Sequence, residues 1–478
     1  MQPSDPPSRR PGVWQLAWPA VLTNLLQSTV GFVDIKAVGT LGSNAVAAAT
    51  AGHRLFFALQ AVLMAVSAGT TALAARAFGA GDRAEASRIV GSSLVLGAAF
   101  ATVMGVIGFA SAEPFAVAFG LEGEAAQLAA TYIRCISAFN VAYALGFVIS
   151  TGLRAAGDTR TPLWIGAVTN AVNILMLYVL VYGGFGVSSF GIAGAATTGG
   201  IAYLVGTVLA LGLWAKGVLR IAPVFRGLFD RERMRTLLRV GYPAALEQMI
   251  VQFGFIGFTF IIARFYGNTA LAAYGIGVQI LSLSFVVGFG FSIAASTLVG
   301  QHLGAGDPKR AAQSGWRALA LAVGSMSVLS VLIVAGSEQI ARLMIADPEV
   351  VRLTVIFIYL LGAAQPMMAT EFALAGALRG AGDTRFPLLA TFTGLIGGRL
   401  VLATLFVSLG LSITWIYGAL LADYLFKTIL LVGRFRSNRW QNALQPRMER
   451  DAEPPGTEPR ADTARNKRSI PAEDSSAV

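Results

Sequence analysis

Asp34 is the residue in this sequence best placed to do chemistry. It sits deep in the first apolar run, 14–38. An isolated ionised carboxylate at such depth is costly, so it either binds something or is paired. Desolvation favours the neutral acid, which suits reversible proton binding. Lys36, two residues on, lies on a different helical face. The structural alternative is therefore an ion pair with Arg54, at the start of the second run. Asn170, Asn173 and Thr198 are polar residues in later apolar runs of the same half, and such groups can serve as interhelical hydrogen-bonding glue. The second half carries Glu247, Gln248, Gln279, Gln365, Glu371, Arg399, Asp423 and Lys427 at depth. Asp423 and Lys427 stand four residues apart, a spacing that reads as a structural helical ion pair. Glu247, Glu371 and Arg399 either line a cavity together or form a charge-balanced strut.

Other chemistries lack their residues. A single Cys135 excludes an internal disulfide and a multi-thiolate metal site, and two histidines, His53 and His302, argue against a His-based centre. No paired Asp, Ser/Lys or His/Glu arrangement stands at bilayer depth, so no enzyme is expected. No Gly-Lys-Ser/Thr phosphate loop occurs. With no ATPase domain and no cofactor expected, energy for any vectorial work must come from an ion gradient. No filter-like loop interrupts the apolar runs, which argues against a channel.

These residues are carried by long apolar segments. Of 478 residues, 55% are hydrophobic and 13% charged, against about a quarter charged in a soluble chain. The mean hydropathy is +0.65. Twelve continuous apolar runs can be marked, at 14–38, 45–75, 87–112, 128–153, 162–183 and 188–216, then 237–264, 270–301, 312–336, 350–378, 387–408 and 412–434. Runs of roughly 20 residues are helix length for a bilayer. The expected fold is thus all-α and integral to a membrane, with twelve transmembrane helices. Trp14–Val38 is too long for the apolar core of a cleavable signal peptide.

The net charge of +11 is not a nucleic-acid signal. Arginines and lysines gather in alternate connections, among them Arg83, Arg160, Arg226, Arg310 and Arg385. That is the positive-inside pattern, and it places both termini in the cytoplasm. All seven tryptophans fall near the ends of the runs, as in an aromatic belt. The tail 437–478 has no apolar periodicity and reads as disordered. Truncation after Asn438 is therefore expected to leave function intact. The Arg-rich stretch 217–236 reads as a cytoplasmic linker with an interfacial helix.

An internal repeat divides the chain. Leu153-Arg154-Ala155-Ala156-Gly157-Asp158-Thr159-Arg160-Thr161-Pro162 returns as Leu378-Arg379-Gly380-Ala381-Gly382-Asp383-Thr384-Arg385-Phe386-Pro387. Gly79-Ala80-Gly81-Asp82 returns as Gly304-Ala305-Gly306-Asp307. Both pairs keep one offset, 378 − 153 = 225. Six runs per half is even, so the halves, 14–216 and 237–434, should be parallel pseudo-symmetric six-helix bundles. The counterpart of Asp34 is Thr259, since 34 + 225 = 259. Any proton switch at Asp34 is thus confined to the first half. In the Gly-Asp-Thr-Arg-x-Pro turns, Asp and Thr read as helix caps and Gly as the bend.

Four features together resemble the MATE (multidrug and toxic compound extrusion) family, in particular its DinF-like branch. They are Pro19…Val33-Asp34-x-x-x-Val38-Gly39-x-Leu41-Gly42, the paired Gly-Ala-Gly-Asp turns, the paired Leu-Arg-x-x-Gly-Asp-Thr-Arg-x-Pro turns, and Asn170-x-x-Asn173-Ile174 followed by Gly191-Ile192-Ala193-Gly194-Ala195-Ala196-Thr197-Thr198. The resemblance covers about 14–434. It implies a V-shaped pair of lobes that exports amphipathic or cationic drugs in exchange for H⁺ or Na⁺ by rocking-bundle alternating access. It also implies a multi-pass monomer in the bacterial inner membrane. In proton-coupled relatives the first-span acid joins an Asn and an acid of the fifth span and a Thr of the sixth. Asn173 and Thr198 fit that pattern, while Leu177 stands where the second acid would be. In the sodium-coupled branch, acids of spans 7 and 10 bind the ion. Glu247 corresponds to the first, whereas Glu371 lies too near the following turn to match the second. Arg54, Asn170, Gln248, Gln279, Glu371 and Arg399 are then cavity candidates. An alternative reading is a flippase for a lipid-linked precursor, whose cavity should be cationic. Only Arg54 and Arg399 would serve it. In span 1, Pro19 frees a backbone carbonyl, so a kink could localise there.

Overall fold

The computed structural model describes residues 11–224 and 226–444, apart from the side chains of 57–59. The described residues form helices and no strands. The first half comprises α1 (Val13–Gly39), α2 (Ser43–Gly79), α3 (Arg83–Ala110), α4 (Ala112–Ala118), α5 (Gly123–Ala138), α6 (Asn140–Ala155), α7 (Arg160–Leu180) and α8 (Gly191–Ala215). The second comprises α9 (Arg231–Gly304), α10 (Pro308–Ala335), α11 (Ser337–Met344), α12 (Pro348–Gly380), α13 (Arg385–Phe392), a π-helical stretch Thr393–Val401, α14 (Leu402–Ser408) and α15 (Ile413–Arg436).

Ten helical stretches are long and apolar enough to cross a membrane, and the pair α5 and α6, bent by 47°, makes an eleventh. At about 1.5 Å per residue, the 74 residues of α9 would extend far beyond a hydrocarbon core of about 30 Å. Gly267 breaks the helix at φ 78° and ψ −175°, so α9 supplies two crossings. That makes twelve.

The repeated turns explain where the helices stop. Gly81 and Gly306 take φ of 84° and 71°, a region that glycine enters without steric cost. Asp82 and Asp307 then accept from the amides of Glu85 and Arg310 at 2.8 and 2.9 Å, capping α3 and α10. The second pair of turns diverges. Asp158 caps α7 through the amides of Arg160 and Thr161. Asp383 instead accepts from the Arg434 guanidinium at 2.8 Å, so the cap expected there becomes a tie to α15.

The halves meet end-on at these turns, and their contacts obey the offset of 225. A Cβ on Gly79 would lie 2.0 Å from the carbonyl oxygen of Gln301, and one on Gly304 would lie 1.9 Å from that of Arg76. Since 79 + 225 = 304 and 76 + 225 = 301, the two approaches are one contact seen twice. Gly241 likewise packs on Ala65, and Gly290 on Ala17 and Val21. Thr297 and Gln301 donate to the carbonyls of Arg154 and Ala155 at 3.0 and 2.8 Å. The starts of the two leading helices are exchanged. Val13, Leu16 and Ala17 join the core of the second half, and Leu237 and Val240 join that of the first. The hydrogen bonds and glycine approaches between the halves thus close one end of the molecule.

Gly304→Val should disturb this closure, because its new Cβ meets backbone. Overpacking costs about 1–3 kcal/mol, a shift of roughly 5–150-fold in the ratio of closed to open forms. Faster alkylation of a cysteine placed at Thr297, which bonds across to Arg154 O, in a Cys135→Ser background would report it, and an unchanged rate would show that the contact tolerates bulk.

Two sequence expectations need correction. The linker is not an interfacial helix. Gly217 and Gly227 adopt φ of 68° and 74°, Pro223 lacks an amide proton, and regular helix resumes only at Arg231. The linker is pinned instead by Ala222 donating to Ser87 Oγ at 3.1 Å. Asp230 caps α9, and the amide of Arg233 holds its carboxyl below the usual range. The tail does not lose order at Ser437 either. Arg439–Asn442 forms a short helical turn, with Trp440 fully buried and Leu444 nearly so. The apolar pattern missed them because each is a single residue in a polar stretch. Residues 445–478 lie outside the described residues.

Candidate functional site

In the first half, α1 packs against α7 and so brings Asp34 to Asn173. The Asn173 side chain hydrogen-bonds the carboxylate. Asp34 Oδ1 and Asn173 Oδ1 are both buried without a partner. Buried acceptors in that condition are uncommon and call for an explanation, such as an exchangeable proton or ion. Tyr132 and Tyr203 stand within electrostatic reach of Asp34, and Gln27 hydrogen-bonds Tyr203. Tyr132 also meets His53 Nδ1 at 3.3 Å. The absent side chain of Gly52 leaves room for its ring. Gln27 precedes Asp34 by two helical turns, a spacing that places it on the same face of α1 and could have been read from sequence. The tyrosines come from α5 and α8 and carried no such signal.

Other expected members of this site fare differently. Thr198 is buried, but its hydroxyl donates back to Gly194 O at 2.9 Å. Among the described residues no bond joins it to Asp34, because intrahelical bonding satisfies a threonine equally well. Asn170 is half-buried one turn before Asn173. Leu177 packs in an apolar cluster with Ala37 and Val181, so no second acid faces Asp34 there. Arg54 is exposed. Among the described residues, neither it nor any other cation forms an ion pair with Asp34, so the alternative of a structural pair is not realised.

The second half is built in the opposite sense. Arg399 Nη2 meets Asp423 Oδ2 at 2.5 Å, and Lys427 Nζ reaches both Asp423 Oδ1 and Glu371 Oε1 at 3.1 Å. Two cations and two carboxylates cancel. The guanidinium of Arg399 lies 5.6–5.7 Å from the ring centres of Phe255, Phe258 and Tyr424, within reach of cation–π attraction. Phe258 neighbours Thr259, the repeat counterpart of Asp34. Local sequence explains the approach. A Cβ on Gly394 would lie 2.6 Å from Asp423 Oδ1, and one on Gly398 would lie 3.1 Å from Asp423 Cα. These glycines admit α15, and the π-helical stretch holding Arg399 changes the side-chain phase along the helix, as such stretches do at functional sites.

The cluster of Glu247, Glu371 and Arg399 that the sequence allows is not formed. Glu247 accepts from Arg379 at 3.0 Å and from Thr391 at 3.1 Å, whereas Glu371 and Arg399 belong to the quartet. Gln248 is half-buried and Gln279 exposed. Gln365 donates to Ser284 Oγ. No group of three or more His, Cys, Asp or Glu side chains suited to a metal occurs among the described residues.

The MatE family model matches residues 19–179 and 243–421. The chain belongs to the MatE family. It is a multi-pass membrane transporter and not an enzyme. A protein of Thermotoga maritima described as "Probable multidrug resistance protein NorM" is 30% identical over 444 residues, covering 91% of this chain and 94% of the relative. One of Rhodopseudomonas palustris with the same description is 32% identical over 394 residues, covering 79% and 81%. Among solved structures, the Vibrio cholerae MATE transporter VcmN in its bent form shares the fold, with a TM-score of 0.81 at 19% identity over 91% of this chain and 96% of that one. A multidrug resistance MATE family transporter in an outward-facing conformation has a TM-score of 0.81 at 20% identity, covering 91% and 98%.

Proposed function

We propose that this MatE protein is a secondary antiporter of the bacterial inner membrane that exports amphipathic, cationic organic compounds in exchange for H⁺. We place it in the DinF-like branch on the motifs quoted above. The observation that carries the reading is the contrast between the lobes. Asp34 is a deep carboxylate with a buried, unpartnered oxygen and, among the described residues, no cation paired to it. The deep acids of the second lobe, Glu247, Glu371 and Asp423, are each paired with Arg or Lys. Only the first can gain or lose a proton without leaving an opposite charge stranded.

Drug and proton must favour different lobe arrangements, since a ligand shifts an equilibrium only by its differential affinity. Ionised Asp34 attracts a cationic drug and accepts from Asn173. Protonation from outside cancels the charge and lets α1 rearrange about Pro19, whose carbonyl accepts from the Thr23 hydroxyl at 2.8 Å. The basic turns define the cytoplasmic end, with both termini on that side, so closure there corresponds to an outward-facing state. The protein acts as a monomer and needs no cofactor beyond the coupling ion. Sodium coupling at Glu247 is less favoured, because Arg379 and Thr391 already occupy that carboxylate. A lipid-precursor flippase is also less favoured, because Arg399 is sealed within a neutral quartet.

The test is uptake of a fluorescent cationic dye into inverted vesicles, with ΔpH and a Na⁺ gradient imposed separately. An acid lumen alone should drive uptake. Uptake driven by Na⁺ alone would overturn the proton reading and return attention to Glu247.

A further inference from the structure

Beyond α15 the chain makes a compact turn across the closed end. Asn438 adopts φ 57° and redirects the backbone. Trp440 stacks on Phe435 with ring centres 4.6 Å apart and donates its Nε1–H to Phe435 O at 2.8 Å. It is fully buried in the core of the second lobe. Four residues later, Leu444 enters a different core, which includes Val66, Leu153 and Ala156 of the first lobe and Leu237 and Val240 of α9. Its Cγ lies 2.5 Å from where a Cβ on Gly382 would stand, so only glycine leaves this seat open. Arg434 fixes the base of the seat, bonding Asp383 at 2.8 Å and lying over the Phe386 ring.

We propose that residues 436–444 form a strap that holds the lobes together at this end, with Trp440 as its anchor and Leu444 as its bolt. Four residues span at most about 14 Å when fully extended. Leu444 therefore cannot follow the first lobe outward while Trp440 stays in the second. Opening this end must part Leu444 from the first-lobe residues of that core, and the strap biases the protein toward the closed arrangement. The bias depends on the lobes parting at this end, as the alternating-access reading requires, but it is read without any transport measurement.

The test uses the full-length protein in a Cys135→Ser background with Thr297→Cys as reporter, since Thr297 bonds across the interface to Arg154 O. Alkylation by N-ethylmaleimide is timed in proteoliposomes, and thermal unfolding is followed alongside. Leu444→Asp and truncation after Ala443, which keeps Trp440, should each raise the alkylation rate at least fivefold with the unfolding midpoint kept, while Leu444→Met stays within twofold. An unchanged rate in a folded Leu444→Asp variant overturns the strap. So does a rise that only tracks a falling unfolding midpoint, which would make Leu444 an ordinary core residue. If neither variant inserts, Leu444→Ala, which removes three carbons and adds no charge, reads the same outcomes. Failure of the antiport reading would appear in dye uptake and leave these rates unaffected.

Discussion

Asp34→Asn is expected to reduce drug export driven by a pH gradient by about 100-fold, with insertion and expression near wild type. Asn preserves the size of the side chain and its ability to accept from Asn173, but it cannot bind or release the coupling proton. A 100-fold loss corresponds to about 2.7 kcal/mol of differential interaction, within the usual range for energy coupling between sites. The fold should tolerate the change, because no cation is stranded when the charge is removed. Glu247→Gln should cost less, since it weakens one ion pair near the basic end. Export is read in inverted vesicles and insertion by membrane fractionation. If Asp34→Asn exports at the wild-type rate under an imposed pH gradient, Asp34 is only a structural group and the proposed coupling is wrong.

Asp423→Leu is expected to lower stability severely, and more than Gly304→Val. The side chain is fully buried between Arg399 and Lys427. Removing one member of a buried ionic set leaves the others uncompensated, at a cost of about 3–5 kcal/mol. Adding Arg399→Met should recover much of the loss, because the remaining Lys427–Glu371 pair, 3.1 Å apart, is neutral by itself. Thermal unfolding in detergent measures both variants. If Asp423→Leu unfolds at the wild-type temperature yet loses pH-driven export, the quartet is a transport element and the assignment of coupling to the first lobe alone is wrong.

The quartet also marks the limit of sequence reading. Asp423 and Lys427 could be paired because helical spacing decides it. Arg399 is drawn to Asp423 only because glycines at 394 and 398 let α15 approach and a π-helical stretch alters its phase. Glu247 meets Arg379 across 132 residues of chain, a partnership that no local pattern encodes. The distinction between one deep acid left unpaired and three neutralised thus emerged only from the packing.

The sequence by itself determined the membrane class, the twelve apolar runs, the duplication at an offset of 225 and the depth of Asp34. Each is a property of order along the chain: apolar length must match a bilayer, and a duplicated chain keeps its register. The tertiary structure alone decided which charges cancel, that Thr198 bonds within its own helix, that Arg54 leaves Asp34 alone, and that Trp440 and Leu444 are buried. Those outcomes depend on distances of a few ångströms between distant segments. Such distances are set by where a missing side chain, as at Gly79, Gly304 or Gly382, lets two backbones or a side chain come close.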